Sequence, residues 1–158
     1  MRGRGRVHEG ESEPAEEGQV SLLILGVFAI VLVLILGGID VTAAQLARMR
    51  LLDVTDAAAL DAADSLDEQS VYEQGVGARL ALTDASVRDS ASAHLAKTPR
   101  PVGISDWGLV PQTGSPDGRT AVVTLSGRAT LPMTGWVLES LGGGVTITVS
   151  SRARATLG

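Results

Sequence analysis

Residues 20–39 read VSLLILGVFAIVLVLILGGI, and this apolar run decides the architecture of the chain. It carries no charged side chain, and its most polar group is the hydroxyl of Ser21. A helix of this length rises about 30 Å, which is the thickness of the hydrocarbon core of a bilayer. A helix also satisfies its own backbone hydrogen bonds, which lipid cannot do. The run therefore predicts one transmembrane helix.

Two alternatives to a permanent membrane span stay open from the sequence. A buried core helix would normally carry a polar stripe, and residues 20–39 have none. A cleavable signal peptide usually has a shorter apolar region, although Thr42-Ala43-Ala44 imitates a small-residue cleavage site. Asp40 lies just before that site, and the helical pattern continues through it, which favours an intact chain.

The flanking charges set the expected orientation. Arginines 2, 4 and 6 favour a cytoplasmic N-terminus, against Arg48 and Arg50 on the other side of the span. Residues 1–19 are polar, rich in Gly and Glu, and without an apolar pattern, so we expect a disordered cytoplasmic tail. Residues 20–39 would cross the cell membrane once, and residues 40–158 would form a domain outside it.

The helix is expected to continue beyond the membrane. Residues 40–68 are rich in Ala and Leu and contain neither Gly nor Pro. At 100° per residue one face collects small and apolar side chains, and the other collects aspartates. The first face comprises Ala44, Leu51, Thr55, Ala58, Ala62 and Leu66, and the second Asp53, Asp56, Asp64 and Asp67. We expect one nearly continuous helix of roughly 45 to 50 residues.

The rest of the chain predicts an α+β domain. Thr83-Asp84 is a good N-cap pair for a second helix that ends near Ala96, before Pro99. Residues 119–131 and 145–157 alternate apolar and polar, which is typical of half-buried strands. Residues 102–110 are expected to form a third strand across the turn at 114–118, and residues 132–141 a short helix or ordered loop. The fold would be helices on one face of an antiparallel sheet of about three strands.

Several motifs around the apolar run form a characteristic series. Glu17-Gly18-Gln19 precedes it, Gly38-Ile39-Asp40-Val41 closes it, and Leu46-Ala47-Arg48 follows. The emerging helix then reads Asp56-Ala57-Ala58-Ala59-Leu60-Asp61-Ala62-Ala63. This series resembles the N-terminal region of TadE/TadG-like proteins of the tight-adherence (Flp) pilus assembly system, in the actinobacterial style. The resemblance covers roughly residues 17–66.

The resemblance implies a pilin-like minor component or assembly factor of the pilus machinery, with its C-terminal domain outside the membrane. It singles out eight positions as family-motif or interaction candidates: Gly18, Gly38, Asp40, Asp56, Ala57, Ala58, Ala59 and Leu60. One feature departs from prepilin-like members, which place a Glu five residues into the mature chain. If Gly18 preceded a cleavage, that position would be Leu23.

Composition narrows the chemistry that the chain can perform. The net charge is −5, and an acidic chain lacks the basic face that nucleic-acid binding needs. There is no cysteine, so disulfides and thiolate chemistry are excluded. His94 stands alone on a helix, the helical aspartates lack a metal-binding turn, and Gly142-Gly143-Gly144 lacks the Lys of a phosphate loop. We therefore expect no cofactor, no metal, no small-molecule substrate and no enzymatic activity.

Three arginines supply a further candidate surface. Arg128, Arg152 and Arg154 fall on the polar face of the two alternating strands. The simple interpretation is that these arginines lie on a solvated face. The more specific one is that they contact the acidic helix of another subunit. The expected partners are the lipid bilayer and other pilus-assembly or pilin-like membrane proteins, including further copies of this chain. The alternative function is a generic single-pass, anchored extracytoplasmic binding module unrelated to pili.

Overall fold

The computed structural model describes residues 15–74 and 82–154. Within these residues it contains three helices and three strands, and the expected α+β class is confirmed. In chain order these are α1 (Ala15–Gln74), α2 (Asp84–Lys97), β1 (Ile104–Leu109), β2 (Thr120–Ala129), α3 (Gly135–Ser140) and β3 (Val145–Arg154). The chain divides into two compact units, of which the first ends at Leu36 and the second begins at Gly37.

Helix α1 carries the apolar run and continues without a break past its end. It is 60 residues long, which exceeds the prediction because it begins at Ala15 and ends at Gln74. The predicted tail, 1–19, therefore overlaps the helix over residues 15–19, and its remainder lies outside the described residues. The continuation of the helix beyond Asp40 is confirmed.

The apolar run meets no protein core. Within α1, residues 18–65 contain a window of mean hydropathy 3.2, and none of that window is buried. Leu22, Phe28 and Leu34 are typical, since each exposes most of its surface. A core helix of a water-soluble domain would bury these side chains. The helix is thus long and apolar enough to cross a membrane.

Helix α2 begins where the sequence predicts. The Thr83 hydroxyl accepts a hydrogen bond from the Ser86 N–H at 3.1 Å, and the Ser86 hydroxyl accepts one from the Thr83 N–H at 3.1 Å. This reciprocal pair is a capping box, which satisfies two backbone donors at the start of a helix. The Ser65 and Ser90 hydroxyls are 2.8 Å apart, and His94 Nδ1 lies 3.3 Å from Asp61 Oδ2. Helix α2 therefore runs antiparallel to α1.

The three strands form one antiparallel sheet in the order β1-β2-β3. Leu125 of β2 pairs with Leu109 on one side and with Val149 on the other. The register shifts between Ile104 and Asp106, which marks a bulge at the start of β1. The turn predicted at 114–118 closes the β1–β2 hairpin, where the Asp117 carboxylate accepts hydrogen bonds from Arg119 and Thr120.

The core lies between the helices and the inner face of the sheet. Leu51 of α1, Val87 of α2 and Val123 and Leu125 of β2 are fully buried within it. Gly127 lets α1 approach the sheet, since a Cβ there would lie 3.3 Å from Leu51 Cδ2. The core consists of Leu, Val, Ile, Ala and Thr, with Trp107 at its margin, in a chain of which only 3% of residues are aromatic.

Where side chains are described, the two predicted faces of α1 are confirmed, with Ala44 at the start of the inner face half-buried. On the inner face Leu51, Thr55, Ala58 and Ala62 are fully buried. The aspartates at 53, 56 and 64 are exposed on the opposite side. The side chains of residues 66 and 67, which were assigned to these faces, lie outside the described part of the chain.

Two residues of the sheet depart from the alternation pattern. Thr124 is on the predicted wet face but is buried, because its backbone N–H and C=O both hydrogen-bond the Thr113 hydroxyl at 3.1 Å. The segment after β1 thus covers part of the outer face. The alternation predicts that Val145 faces inward, yet this first residue of β3 is exposed, although its pairing partner Ala129 is buried. Residues 155–157 of the second predicted strand lie outside the described residues.

Candidate functional site at the start of the domain

Asp40 is buried at the point where the apolar run ends. Its side chain is 5% exposed, although it follows Ile39 directly on α1. Oδ1 accepts a hydrogen bond from the Met133 N–H at 2.9 Å, and Oδ2 accepts one from the Thr134 N–H at 2.8 Å. The Thr134 hydroxyl also donates to Oδ2. One carboxylate therefore holds the segment that leads into α3.

The hydrogen bonds keep this carboxylate ionised. Burial raises the pKa of Asp40, but the Thr134 hydroxyl and the Met133 and Thr134 N–H groups together outweigh that effect. The net result is a pKa below the ordinary value of an aspartate. Donors aimed at a carboxylate favour its charged form. Asp40 is therefore a charged structural anchor at neutral pH.

The Asp-Ala-Ala-Ala-Leu motif divides between two sides of α1. Ala58 and Ala59 are fully buried in the core, whereas Asp56, Ala57 and Leu60 are exposed. Small side chains let the rest of the domain approach the helix backbone closely, which explains the alanines on the inner side. The exposed members of the motif do not take part in this close packing within the described part of the chain.

The exposed side of α1 beyond the apolar run is rich in large apolar residues. We call this surface the outer face of α1 and define it by Leu46, Met49, Leu52 and Leu60, with Asp53 and Asp56 among them. Met49 and Leu60 each expose more than half of their surface. The spacing of three, three and eight residues keeps these side chains on one helix face.

Part of α1 is similar in sequence to a known protein family. Residues 18–65 match the Tad family of TadE/G-like Flp pilus-assembly proteins. The resemblance drawn from the sequence is confirmed over those residues. No curated protein and no solved structure matches the chain.

The TadE/G-like segment contains all eight motif candidates of the sequence analysis. The structure brings Asp40 into contact with the segment before α3 and places Ala58 and Ala59 in the core. A Cβ added at Gly18 or Gly38 would meet no atom within 4 Å, so neither glycine is needed for close packing among the residues that the structure describes. The Gly38 carbonyl accepts a hydrogen bond from the Thr42 hydroxyl at 2.9 Å.

The three candidate arginines share the outer face of the sheet but not one cluster. Arg152 pairs with Val122 and Arg154 with Thr120, whereas Arg128 pairs with Thr146. Positions 146 and 152 on β3 are separated by about 20 Å, at roughly 3.3 Å per residue. All three side chains are exposed. Arg152 and Arg154 therefore lie toward one end of this face, and Arg128 lies toward the other.

A groove of about 440 Å³ opens on the same side of the domain. Its lining includes Arg88, whose Nε donates to the Thr113 carbonyl at 2.9 Å and whose Nη2 donates to the Pro111 carbonyl at 3.0 Å. Arg88 thus holds the loop after β1 in place. Within residues 18–65 and 82–154, no group of three His, Asp or Glu side chains could hold a metal ion.

Sequence reasoning missed the partners of two side chains. The Asp40 contact joins residues 94 positions apart, and the Arg50 Nη1 donates to the Val102 carbonyl at 2.9 Å across 52 positions. Neither pair has a local signature, because each depends on how the domain folds back onto α1. The family position of Asp40 was the one signal available for it.

Proposed function

We propose that this protein is a membrane-anchored, pilin-like minor component or assembly factor of a Tad/Flp-type pilus or secretion apparatus. It acts without catalysis, through packing of its long helix and contacts of its domain with neighbouring membrane proteins or with copies of itself. One observation carries the proposal: the segment that matches the TadE/G-like family is a helix with one side packed into the domain and another side apolar and uncovered.

The two sides of α1 have different tasks in this proposal. The inner side, with Leu51, Ala58 and Ala59, binds the helix to its own domain. The outer face exposes Met49 and Leu60 to water, which is unfavourable for an isolated molecule. Burial of these side chains against a second helix would remove that apolar surface from water and so favour assembly. The acidic residues between them would select the register of the partner.

The domain lies outside the cell membrane in this proposal, with the N-terminus in the cytoplasm. Arg2, Arg4 and Arg6 support that orientation. The Asp40 contacts support a chain that keeps its membrane helix. Cleavage after Ala44 would remove Asp40 and leave the Met133 and Thr134 N–H groups without the acceptor they use.

Site-specific photo-crosslinking in living cells tests the proposal. A photo-reactive amino acid replaces Met49 in the full-length chain, and a second variant carries it at Ala93, which is also exposed but lies on α2. We expect Met49 to give adducts with pilus-assembly membrane proteins or with a second copy of the chain. Ala93 should give markedly fewer.

Deletion of the gene supplies the independent arm of the test. Loss of pili, restored by the wild-type chain, is expected. Normal piliation after deletion, together with equal labelling from Met49 and Ala93, would contradict the proposal. Such a result would favour the alternative, an anchored extracytoplasmic binding module. In that case a soluble ligand should protect Arg128 or Arg152 from chemical modification.

A further inference from the structure

Exposed apolar side chains lie in helix α3 and on both sides of it in sequence. We define the 133–141 patch by Met133, Trp136 and Leu141, and within it Trp136 is 73% exposed and Leu141 is 79% exposed. A Trp with this much exposed surface is unusual, since tryptophans are highly buried on average. Leu141 is the residue that follows the end of the helix, and it is exposed as well. Large apolar side chains grouped on a surface indicate a site of contact.

The position of the patch indicates which surroundings it contacts. Asp40 follows the last residue of the apolar run and hydrogen-bonds the N–H groups of Met133 and Thr134 at 2.9 and 2.8 Å. The patch therefore begins at the level of the residue where the apolar run ends. Trp136 lies three residues beyond Met133. In the proposed membrane orientation, an exposed side chain at that level lies near the lipid headgroup region.

Many polar groups of this segment are satisfied internally. The Trp136 Nε1 donates to the Met133 carbonyl at 3.1 Å, so the indole N–H does not need water. Several backbone N–H groups donate to carbonyls of residues 131–139, namely those of Gly135, Val137, Leu138, Leu141, Gly142 and Gly143. Satisfied backbone donors reduce the cost of entering an apolar boundary.

We infer that the 133–141 patch inserts into the headgroup region of the same membrane that α1 crosses, with Trp136 as its anchor. Trp is enriched at this depth, and here its indole N–H is already paired with the Met133 carbonyl, so the whole ring can enter the interface. Glu139 is exposed on the same helix, which limits the patch to the interface and excludes the hydrocarbon core. The inference rests on the proposed membrane anchor and adds a second contact between the domain and the lipid.

Tryptophan fluorescence of the full-length chain in vesicles tests the inference. Trp107→Phe leaves Trp136 as the single reporter, and the vesicles contain phosphatidylcholine and phosphatidylglycerol, with or without bromine on the acyl chains. We expect a blue-shifted emission and loss of most of it in brominated vesicles. Bromine near the headgroup end of the chain should quench more strongly than bromine near the methyl end. Aqueous iodide should quench weakly.

The chain offers a matched control at Val102, which is 76% exposed. The Val102 carbonyl accepts from Arg50, ten residues after Asp40 and thus about 15 Å farther along the helix. In a chain with both native tryptophans replaced by Phe, Val102→Trp should give a red-shifted emission that iodide quenches and bromine does not.

Membrane extraction with carbonate separates the two possible failures. If the chain stays in the vesicles but Trp136 behaves like the Val102→Trp reporter, the inference is wrong and the anchor stands. The patch would then face water. If carbonate releases the chain, the anchor and the inference fail together. A further Leu141→Ser change should weaken the quenching of Trp136 without releasing the chain.

Discussion

The Asp40 carboxylate accepts a hydrogen bond at 2.8 Å from the backbone N–H of Thr134, 94 positions later in the chain. This contact ties the first turn of α1 outside the apolar run to the segment that leads into α3. It gives an acidic position of the TadE/G-like segment a structural role, which is to hold the segment before α3 against the helix.

Removing the charge of Asp40 should loosen this junction. In Asp40→Asn the amide keeps one acceptor oxygen, but its NH2 group faces donors and cannot replace the other. We expect amide hydrogen exchange at Met133 and Thr134 to accelerate by about tenfold or more, since a buried hydrogen bond to a charged group is lost. The measurement is exchange mass spectrometry of the full chain in micelles. Asp53→Asn, at an exposed site on the same helix, is the control and should change nothing there.

The stabilising effect of Asp40 should depend on pH. Because the pKa of Asp40 is lowered in the folded protein, its contribution is complete above the unfolded value of 3.8 and is lost as the pH falls through the folded pKa. The difference in thermal midpoint between wild type and Asp40→Asn should be constant near neutral pH and disappear in stronger acid. A difference that grows in acid would show that the pKa of Asp40 is not lowered in the folded protein.

Asp117 should add to the acid sensitivity of the wild-type chain in the same direction. The Arg119 N–H and the Thr120 hydroxyl and N–H lower the pKa of Asp117 in the β1–β2 turn. Asp117 is present in both the wild type and Asp40→Asn. Its contribution to the pH dependence therefore cancels when the thermal midpoints of the two chains are subtracted.

Adjacent leucines on α1 should respond very differently to truncation. Leu51 is fully buried against the sheet, whereas Leu52 belongs to the outer face. Leu51→Ala should lower the free energy of unfolding of the domain by about 2–5 kcal/mol, because it leaves a cavity. Leu52→Ala should cost less than about 1 kcal/mol. Denaturant titration in micelles, followed by Trp107 fluorescence in a Trp136→Phe background, gives both values. Equal losses would mean that the two sides of α1 are misassigned.

The alanines of the family motif supply a second matched pair. Ala59 is fully buried and Ala57 is exposed. Ala59→Leu should overpack the core and destabilise the domain by about 1–3 kcal/mol. Ala57→Leu should leave the thermal midpoint nearly unchanged. If Ala57→Leu also impairs piliation while its stability is normal, the exposed side of the motif serves assembly.

The elements whose cause is local could be predicted from the amino-acid sequence alone. The uncharged length of 20–39 dictates a membrane-capable helix, because a helix satisfies its own backbone in lipid. Thr83 and Ser86 set the start of α2 through a capping box that lies within four residues. The period of two in β2 and β3 follows from the pleat of a strand and predicted most of the inner face of the sheet.

The long-range partners of these elements depend on the tertiary structure. Thr124 is buried because the chain after β1 returns across it through Thr113, which no alternation pattern contains. Asp40 is buried because the segment before α3 folds back to the end of the apolar run. Local sequence specifies backbone conformation and which side chains are apolar. The partner of a side chain far away along the chain is set only when the packed core brings the two together.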